Sequence, residues 1–202
     1  MSLEYDNKEK LINTVPQILG CARPAGVSAA EADIGTGSGL SVTARMGDVE
    51  TIEHQRDKGL SVTVYLDKKK GNASTTDFSD SAIRATVDAA CTIARNAGSD
   101  EYAGLLDPEY LAVQVPDLDL YHPWDISPEQ AKDLVINCEN EARGADSRIS
   151  NSEGATLNTY VGTHIYGNSN GFINGWNWSS HRTSSRRRKN TLCRASRYST
   201  RL

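Results

Sequence analysis

The chain has 202 residues, enough for one well-buried domain or two small ones, and a formal net charge of -4. Its hydrophobic content of 38% indicates a soluble globular protein, and it has no run of eighteen apolar residues that would predict a membrane-spanning helix. The N-terminus (MSLEYD) is acidic where a secretory signal would be basic and then apolar, so we expect a cytoplasmic protein that makes no membrane contact.

The N-terminal part of the chain predicts a helix, a short strand and a glycine-rich loop. Residues 7–22 place apolar side chains on one side of a helix, although Pro16 should either kink it or delay its start to about Thr14. Residues 31–34 (EADI) predict a short strand, and residues 35–39 (GTGSG) predict a loop after it. A strand on both sides of that loop favours a flexible turn over a phosphate-binding loop, because no helix N-terminus is available for the phosphate.

The next stretch alternates apolar and polar residues with the two-residue period of β-strands. This period covers residues 40–45 (LSVTAR) and 60–66 (LSVTVYL), with a tight turn at 46–48 and a polar strand after it. Residues 67–78 predict a polar turn, and from the N-cap Ser79 the apolar residues recur at helical spacing. A helix that covers one face of a sheet predicts an α/β (α+β) fold, a two-layer sandwich of a mainly antiparallel sheet covered by helices.

A proline-punctuated connection, residues 108–128, follows this helix. It contains Asp117, Asp119 and His122, which could suggest acid–base or metal chemistry. Prolines flank these residues closely, and we interpret them as part of a surface connection.

The clearest helix start in the chain is Ser127-Pro128-Glu129-Gln130. Ser127 can cap the helix, Pro128 suits the first helical position and Gln130 completes a capping box. Gly144 is expected to end this helix. Alternation then resumes at residues 156–166, and the sequence NSNG at 168–171 predicts a hairpin turn into residues 172–179.

The end of the chain is basic, while the rest is acidic. Eight of the 22 basic residues and none of the 26 acidic ones lie after residue 181, which leaves 14 basic residues and a charge of -12 for residues 1–181. We therefore divide the chain into a domain at 1–181 and a tail at 182–202.

Three interpretations of the tail remain open: a nucleic-acid-binding segment, a solvated disordered end, or an out-of-frame stretch after a frameshift near residue 185. We favour the frameshift, because charge and periodicity change abruptly within a strand-rich region.

Several segments in order resemble the TldD/PmbA family, on its PmbA (TldE) side. They include SVTARMGDVETIE, KGLSVTVY and GNASTTDFS at residues 41–79, PDLDLYHPWDISPEQA at 116–131, RISNSEGATLN at 148–158 and YGNSNGFINGW at 166–176. The resemblance covers roughly residues 30–180 and lies in the joint order of these segments. It implies the N-terminal domain of a subunit of a two-component zinc metallopeptidase, whose metal site lies in a TldD-like partner.

The residues themselves argue against a metal or catalytic site in this chain. The four histidines (His54, His122, His164, His181) are far apart, and none has a second His or a Glu at the spacing of a helical zinc motif. The four cysteines are scattered without C-x-x-C spacing, so we expect no disulfide framework. We assign no catalytic residue, no metal ligand and no cofactor, and expect a chain that is not catalytic by itself.

Aromatic residues near the hairpin provide the candidate contact site. Phe172, Trp176 and Trp178 share one face of the predicted strand, which indicates either core packing or a surface that contacts a peptide or a partner subunit. The preferred hypothesis is therefore a non-catalytic, chamber-forming part of a PmbA-like subunit, with a TldD-like metallopeptidase subunit and a peptide substrate as partners. The alternatives are a stand-alone module that grips nucleic acid with its tail, which we disfavour, and a non-functional gene fragment.

Overall fold

A computed structural model describes the backbone of residues 8–189 and 198–200, and side chains through residue 186. Its helices are α1 (Lys8–Ala22), α2 (Asp80–Asn96) and α3 (Pro128–Gly144), with short 3-10 turns at Arg23–Ala25 and Pro108–Tyr110. Its strands are β1 (Ala29–Arg45), β2 (Asp48–Leu66), β3 (Lys69–Thr75), β4 (Ile149–Asn168), β5 (Ile173–Lys189) and β6 (Tyr198–Thr200). The strands form one sheet in the order β3-β2-β1-β4-β5-β6.

Neighbouring strands of this sheet run antiparallel. Leu60 pairs with Thr75 and Leu66 with Lys69 across β2 and β3. Between β1 and β4, Gly35 lies against Thr163, Gly39 against Thr159 and Ala44 against Gly154, so the two strands run in opposite directions. The predicted α+β class, with an antiparallel sheet covered by helices, is confirmed.

The chain divides into two compact units, each built from three separate stretches. The first unit contains Met1–Gly37, Asp57–Asp119 and Gly162–Asn177, and the second contains Ser38–Arg56, Leu120–Val161 and Trp178–Leu202. In the first unit, α1 and α2 pack their apolar stripes on one face of the strands, and Val15, Ile34, Val62, Ile83 and Ile165 are among the fully buried side chains. In the second unit, Ala131 and Val135 of α3 pack on Val42 and Leu157.

Helix caps account for where α2 and α3 begin. The Ser79 hydroxyl accepts a hydrogen bond from the Ala82 amide at 3.4 Å, as its N-cap position predicts. Ser127 and Gln130 form the predicted capping box, and α3 ends at Gly144 as expected. The first helix begins at Lys8 and contains Pro16, so of the two predicted alternatives the late start at Thr14 is wrong.

Two segments that the sequence predicts as turns are strands. Residues 35–39 continue β1, and the reason for glycine at position 39 is close packing: a Cβ there would lie 2.6 Å from the Thr159 carbonyl oxygen and 2.7 Å from the Tyr160 ring. Residues 69–75 form β3, although Lys, Gly, Asn and Ser are poor strand formers, because pairing with the buried part of β2 outweighs local propensity.

Both predicted hairpins are present. Met46 and Gly47 connect β1 and β2 with positive φ values of 55° and 87°, the geometry of a type I′ turn. Asn168 holds the turn between β4 and β5, because its Oδ1 accepts hydrogen bonds from the amides of Asn170 and Phe172.

Strand β5 then continues past the predicted domain boundary at 181 to Lys189. Residues 190–197 and 201–202 of the predicted tail lie outside the described residues, and its out-of-frame origin stays a prediction.

A buried carboxylate in the second unit connects α3 to the first hairpin. The side chain of Glu139 is fully buried, and its two oxygens accept hydrogen bonds from the amides of Met46 and Gly47, each at 2.9 Å. Burial acts to raise the pKa of Glu139, but hydrogen bonds from Ser152 and from the two turn amides outweigh it, so the pKa is lowered. Glu139 therefore fixes the β1–β2 turn as a charged hydrogen-bond acceptor.

Candidate functional site

The face of the first unit that is opposite α1 and α2 carries a group of polar and aromatic side chains. Ala30, Ala32 and Ile34 of β1 are in the helix-covered core, so the alternate residues Glu31 and Asp33 point to the other face. We call this surface the polar face and define it by six side chains: Glu31, Asp33, Tyr65, His164, Tyr166 and Trp176.

Glu31 joins three strands of the polar face through its carboxylate. Its Oε1 accepts a hydrogen bond from the Tyr65 hydroxyl at 2.9 Å, and its Oε2 accepts one from the Tyr166 hydroxyl at 2.7 Å. Burial and the hydrogen bond to Glu31 raise the pKa of Tyr65 well above its usual value. The pKa of Tyr166 is raised mainly by burial, and the Glu31 charge adds to the effect. Both phenols therefore remain protonated donors at neutral pH.

Asp33 and His164 form the second polar pair of this face. The His164 Nε2 lies 3.0 Å from the Asp33 Oδ2, and the two side chains are 29% and 49% exposed, which leaves the pair within reach of solvent. Burial raises the pKa of Asp33, while the charge and hydrogen bond of His164 oppose that rise. The Trp176 ring lies 4.5 Å from the His164 ring, between their centroids. An exposed carboxylate–imidazole pair beside an aromatic ring can bind polar and apolar parts of one ligand.

The aromatic residues predicted as a contact site are divided between the two units. In the first unit, Trp176 is 45% exposed, and Phe172 is half-buried with its ring 6.0 Å from that of Tyr166. In the second unit, Trp178 is half-buried and stacks on Tyr160 at 5.3 Å between ring centroids. A contact with a peptide or partner at these residues stays a prediction.

The sequence alone does not identify the other members of the polar face as a site. Glu31 and Asp33 belong to the predicted strand EADI, and His164 is one of four histidines that are distant in sequence. In both EADI (31–34) and HIY (164–166) polar and apolar residues alternate, which places the polar residues on the face opposite the core. This alternation could have predicted that Glu31, Asp33, His164 and Tyr166 lie on the exposed face of their strands. The pairing of β1 with β4 brings Glu31 and Asp33 next to His164 and Tyr166. Local sequence patterns do not predict which strands pair.

The described residues do not form a zinc site. A catalytic zinc needs three protein ligands and a structural zinc needs four, whereas Asp33 and His164 supply two donors. Within the part of the chain whose side chains are described, no group of three or more His, Cys, Asp and Glu residues is arranged to hold a metal ion. The helices in that part are also too short or too polar to span a bilayer.

The Tyr166–Glu31 hydrogen bond should contribute measurably to stability. We expect Tyr166→Phe to lower the free energy of unfolding by roughly 1–3 kcal/mol, because it removes a donor to a charged, part-buried acceptor. Urea denaturation of the variant measures this. Tyr102→Phe is the matched control, since Tyr102 is 86% exposed, and equal losses in the two variants would contradict the assignment.

Two protein-family models match the chain in succession. Residues 30–94 match PmbA/TldA metallopeptidase domain 1, and residues 121–186 match the PmbA/TldA metallopeptidase central domain. Together they leave residues 95–120 between them uncovered.

Curated relatives and solved structures agree with these matches. The metalloprotease PmbA of Escherichia coli O157:H7 is 44% identical over 77% of this chain and 35% of its own length, and a PmbA homologue of Haemophilus influenzae is 41% identical over 84% and 37%. The chain thus spans about a third of the length of these relatives. A candidate modulator of DNA gyrase from Bacteroides thetaiotaomicron superposes with a TM-score of 0.80 at 22% identity, over 95% of this chain and 43% of that one. TldE from Thermococcus kodakarensis superposes with a TM-score of 0.70 at 12% sequence identity, over 91% of this chain and 41% of that one. Both structures share the fold.

Proposed function

This chain belongs to the PmbA/TldD metallopeptidase family, and we propose that it is the N-terminal part of a PmbA/TldE-like subunit of a two-component zinc metallopeptidase. In this proposal the assembly is cytoplasmic and processes or degrades peptides. The chain forms part of the scaffold and the wall of the substrate chamber, and a TldD-like partner carries the zinc.

The succession of the two family matches is the observation that supports this proposal most. A domain-1 match at 30–94 followed by a central-domain match at 121–186 is the order expected at the start of a PmbA-like subunit. The 44% identity to a PmbA metalloprotease favours the PmbA side of the family. In this proposal the activity belongs to the assembly, and this chain has a structural role.

A scaffold role also agrees with the chemistry of the described side chains. Asp33 and His164 are two donors short of a closed tetrahedral zinc site, and Glu31 already accepts two phenol hydrogen bonds. We therefore assign no catalytic step to these residues. The chemistry of zinc, polarisation of the scissile carbonyl and activation of a water, belongs to the partner in this proposal.

The polar face of the first unit, with its aromatic residues Phe172 and Trp176, is the proposed peptide contact, and Trp178 of the second unit is a separate candidate contact. A half-exposed indole beside an imidazole–carboxylate pair offers apolar contact and hydrogen bonding to the same extended segment.

Reconstitution with a TldD-like chain from the same source tests the proposal. We expect the chain alone to show no zinc-dependent cleavage of an unfolded peptide, and the mixture to show chelator-sensitive cleavage. Trp176→Ser should raise KM in the mixture, whereas Ile93→Ser, on the exposed side of α2, should leave KM unchanged. Stoichiometric zinc and cleavage by the chain alone would overturn the division of roles, and an inactive mixture without association would overturn the partnership.

A further inference from the structure

The long segment between α2 and α3 concentrates exposed apolar side chains. Residues 99–119, here called the acidic connector, hold six of the eleven large hydrophobic side chains that are exposed among the described residues. Three of them, Tyr102, Tyr110 and Val113, are 86%, 68% and 99% exposed. Scattered single apolar residues are normal on a protein surface, but this many in one segment marks an interaction site. The six are Tyr102, Leu106, Tyr110, Val113, Val115 and Leu118.

The connector is also strongly acidic. Its 21 residues contain six Asp and Glu residues and no Lys or Arg. Charges of a single sign interleaved with exposed apolar groups fit a surface that combines an apolar groove with Lys and Arg at its rim. The six acidic residues are Asp100, Glu101, Asp107, Glu109, Asp117 and Asp119.

The connector has a defined backbone. The Asp100 amide donates to the Lys68 carbonyl at 2.8 Å, and the Asn170 side-chain amide donates to the Leu106 carbonyl at 3.0 Å. A 3-10 turn at Pro108–Tyr110 and Pro116 further restrict the chain. A segment that is ordered before binding loses less conformational entropy when a partner covers it.

We propose that the acidic connector is the docking segment for the TldD-like subunit, an inference that rests on the proposed function. The two family matches end at residue 94 and resume at 121, so the connector is separate from the parts of the chain that the two domain models describe. The partner surface it fits is an apolar groove flanked by basic side chains, which would take up Tyr110, Val113 and Leu118.

The charge of the body disfavours a second copy of the chain as the partner. Residues 1–181 carry a charge of -12, so the body of another copy would repel an acidic segment, and only the eight basic residues after residue 181 would attract it. A basic surface on a different subunit meets no such repulsion and would accelerate association at low salt.

Titration calorimetry of the 202-residue chain with the TldD-like chain tests the inference. The triple variant Tyr110→Ser/Val113→Ser/Leu118→Ser should weaken binding at least about tenfold, because a few large apolar side chains carry most of the energy of an interface. The matched control is Ile93→Ser, an equally apolar residue that is 48% exposed on α2, and it should change the Kd by no more than about twofold.

A second set of variants isolates the charge of the connector. Asp107→Asn/Glu109→Gln/Asp117→Asn should weaken binding at low salt and reduce its salt dependence, whereas Asp88→Asn on the exposed side of α2 should do neither. Thermal unfolding of each variant checks that the fold is retained.

The outcomes separate this inference from the proposed function. Binding that the connector variants leave unchanged would overturn the docking segment and leave the partnership intact. No binding by the unaltered chain would overturn the partnership and the docking segment with it. Sedimentation that shows self-association, lost in the triple variant, would make a second copy the occupant and contradict the choice of partner.

Discussion

Replacing Glu139 by Ala should lower the free energy of unfolding by roughly 2–5 kcal/mol, because it leaves two backbone donors in the β1–β2 turn without their acceptor. Both carboxylate oxygens are engaged and the side chain is fully buried, so the cavity left behind adds to the loss. Glu139→Gln should cost less than Ala but still destabilise, since its amide NH2 would face a backbone N–H where an oxygen now accepts. Urea denaturation followed by circular dichroism measures all three proteins.

The pH dependence of stability provides an independent check of Glu139. Its pKa is lowered in the folded state, so the native protein binds fewer protons at this site than the unfolded chain does. The stabilisation is therefore present above the unfolded pKa of about 4.5 and is lost as pH falls through the lower folded value. Glu139→Gln should flatten this acid limb. Glu141→Ala, an exposed position on the same helix, is the control, and an acid limb of equal steepness in the wild type and Glu139→Gln would contradict the assignment.

Gly71→Ala should destabilise the first unit by roughly 3 kcal/mol or more, since β3 packs directly on α2 at this residue. A Cβ at position 71 would overlap the Ala90 carbonyl oxygen and would lie 2.5 Å from the Ala94 amide nitrogen. These are backbone atoms of a helix, so the clash can be relieved only by moving α2 away from the strand. Thermal and urea unfolding measure the effect.

Gly59→Ala is the matched control for this variant. Gly59 is also a strand glycine, but nothing lies within 4 Å of the position its Cβ would take. We expect its stability to stay within about 1 kcal/mol of the unaltered chain or to rise slightly, because alanine restricts the unfolded chain. A Gly71→Ala protein as stable as Gly59→Ala would show that α2 and β3 are not packed as described.

The elements predicted correctly are those with a strong local signal. Ser79 and Ser127 identify the starts of α2 and α3 because N-cap chemistry acts within four residues. The two-residue alternation at 40–45 and 60–66 identifies strands whose one face is buried. The glycines at 35–39 and the polar residues at 69–75 were predicted as turns, because their place in the sheet depends on distant strands.

The candidate site is harder to predict than the helices and strands, because it too depends on the pairing of strands that are distant in sequence. Trp176 was identified by its size and position, but its contact with His164 and the pairing of His164 with Asp33 need β1, β4 and β5 side by side. Glu139 is hard to predict because its charge suggests exposure, although it lies four residues after Val135 on the buried stripe of α3. The turn amides of Met46 and Gly47 and the side chain of Ser152 explain its burial, and the turn is remote in sequence.

The interleaved composition of the two units has a consequence for synthesis on the ribosome. The first unit includes Gly162–Asn177, so its sheet cannot be completed when Asp119 emerges, even though α1, α2 and three of its strand segments are already made. The intervening Leu120–Val161 belongs to the second unit and must be translated first. Translation adds about 5–20 residues per second, so the first unit waits for several seconds with the β1 edge that later pairs with β4 uncovered. During that interval the open strand edge can pair with other chains, so we expect the yield of folded protein to depend on chaperones more than its final stability would suggest.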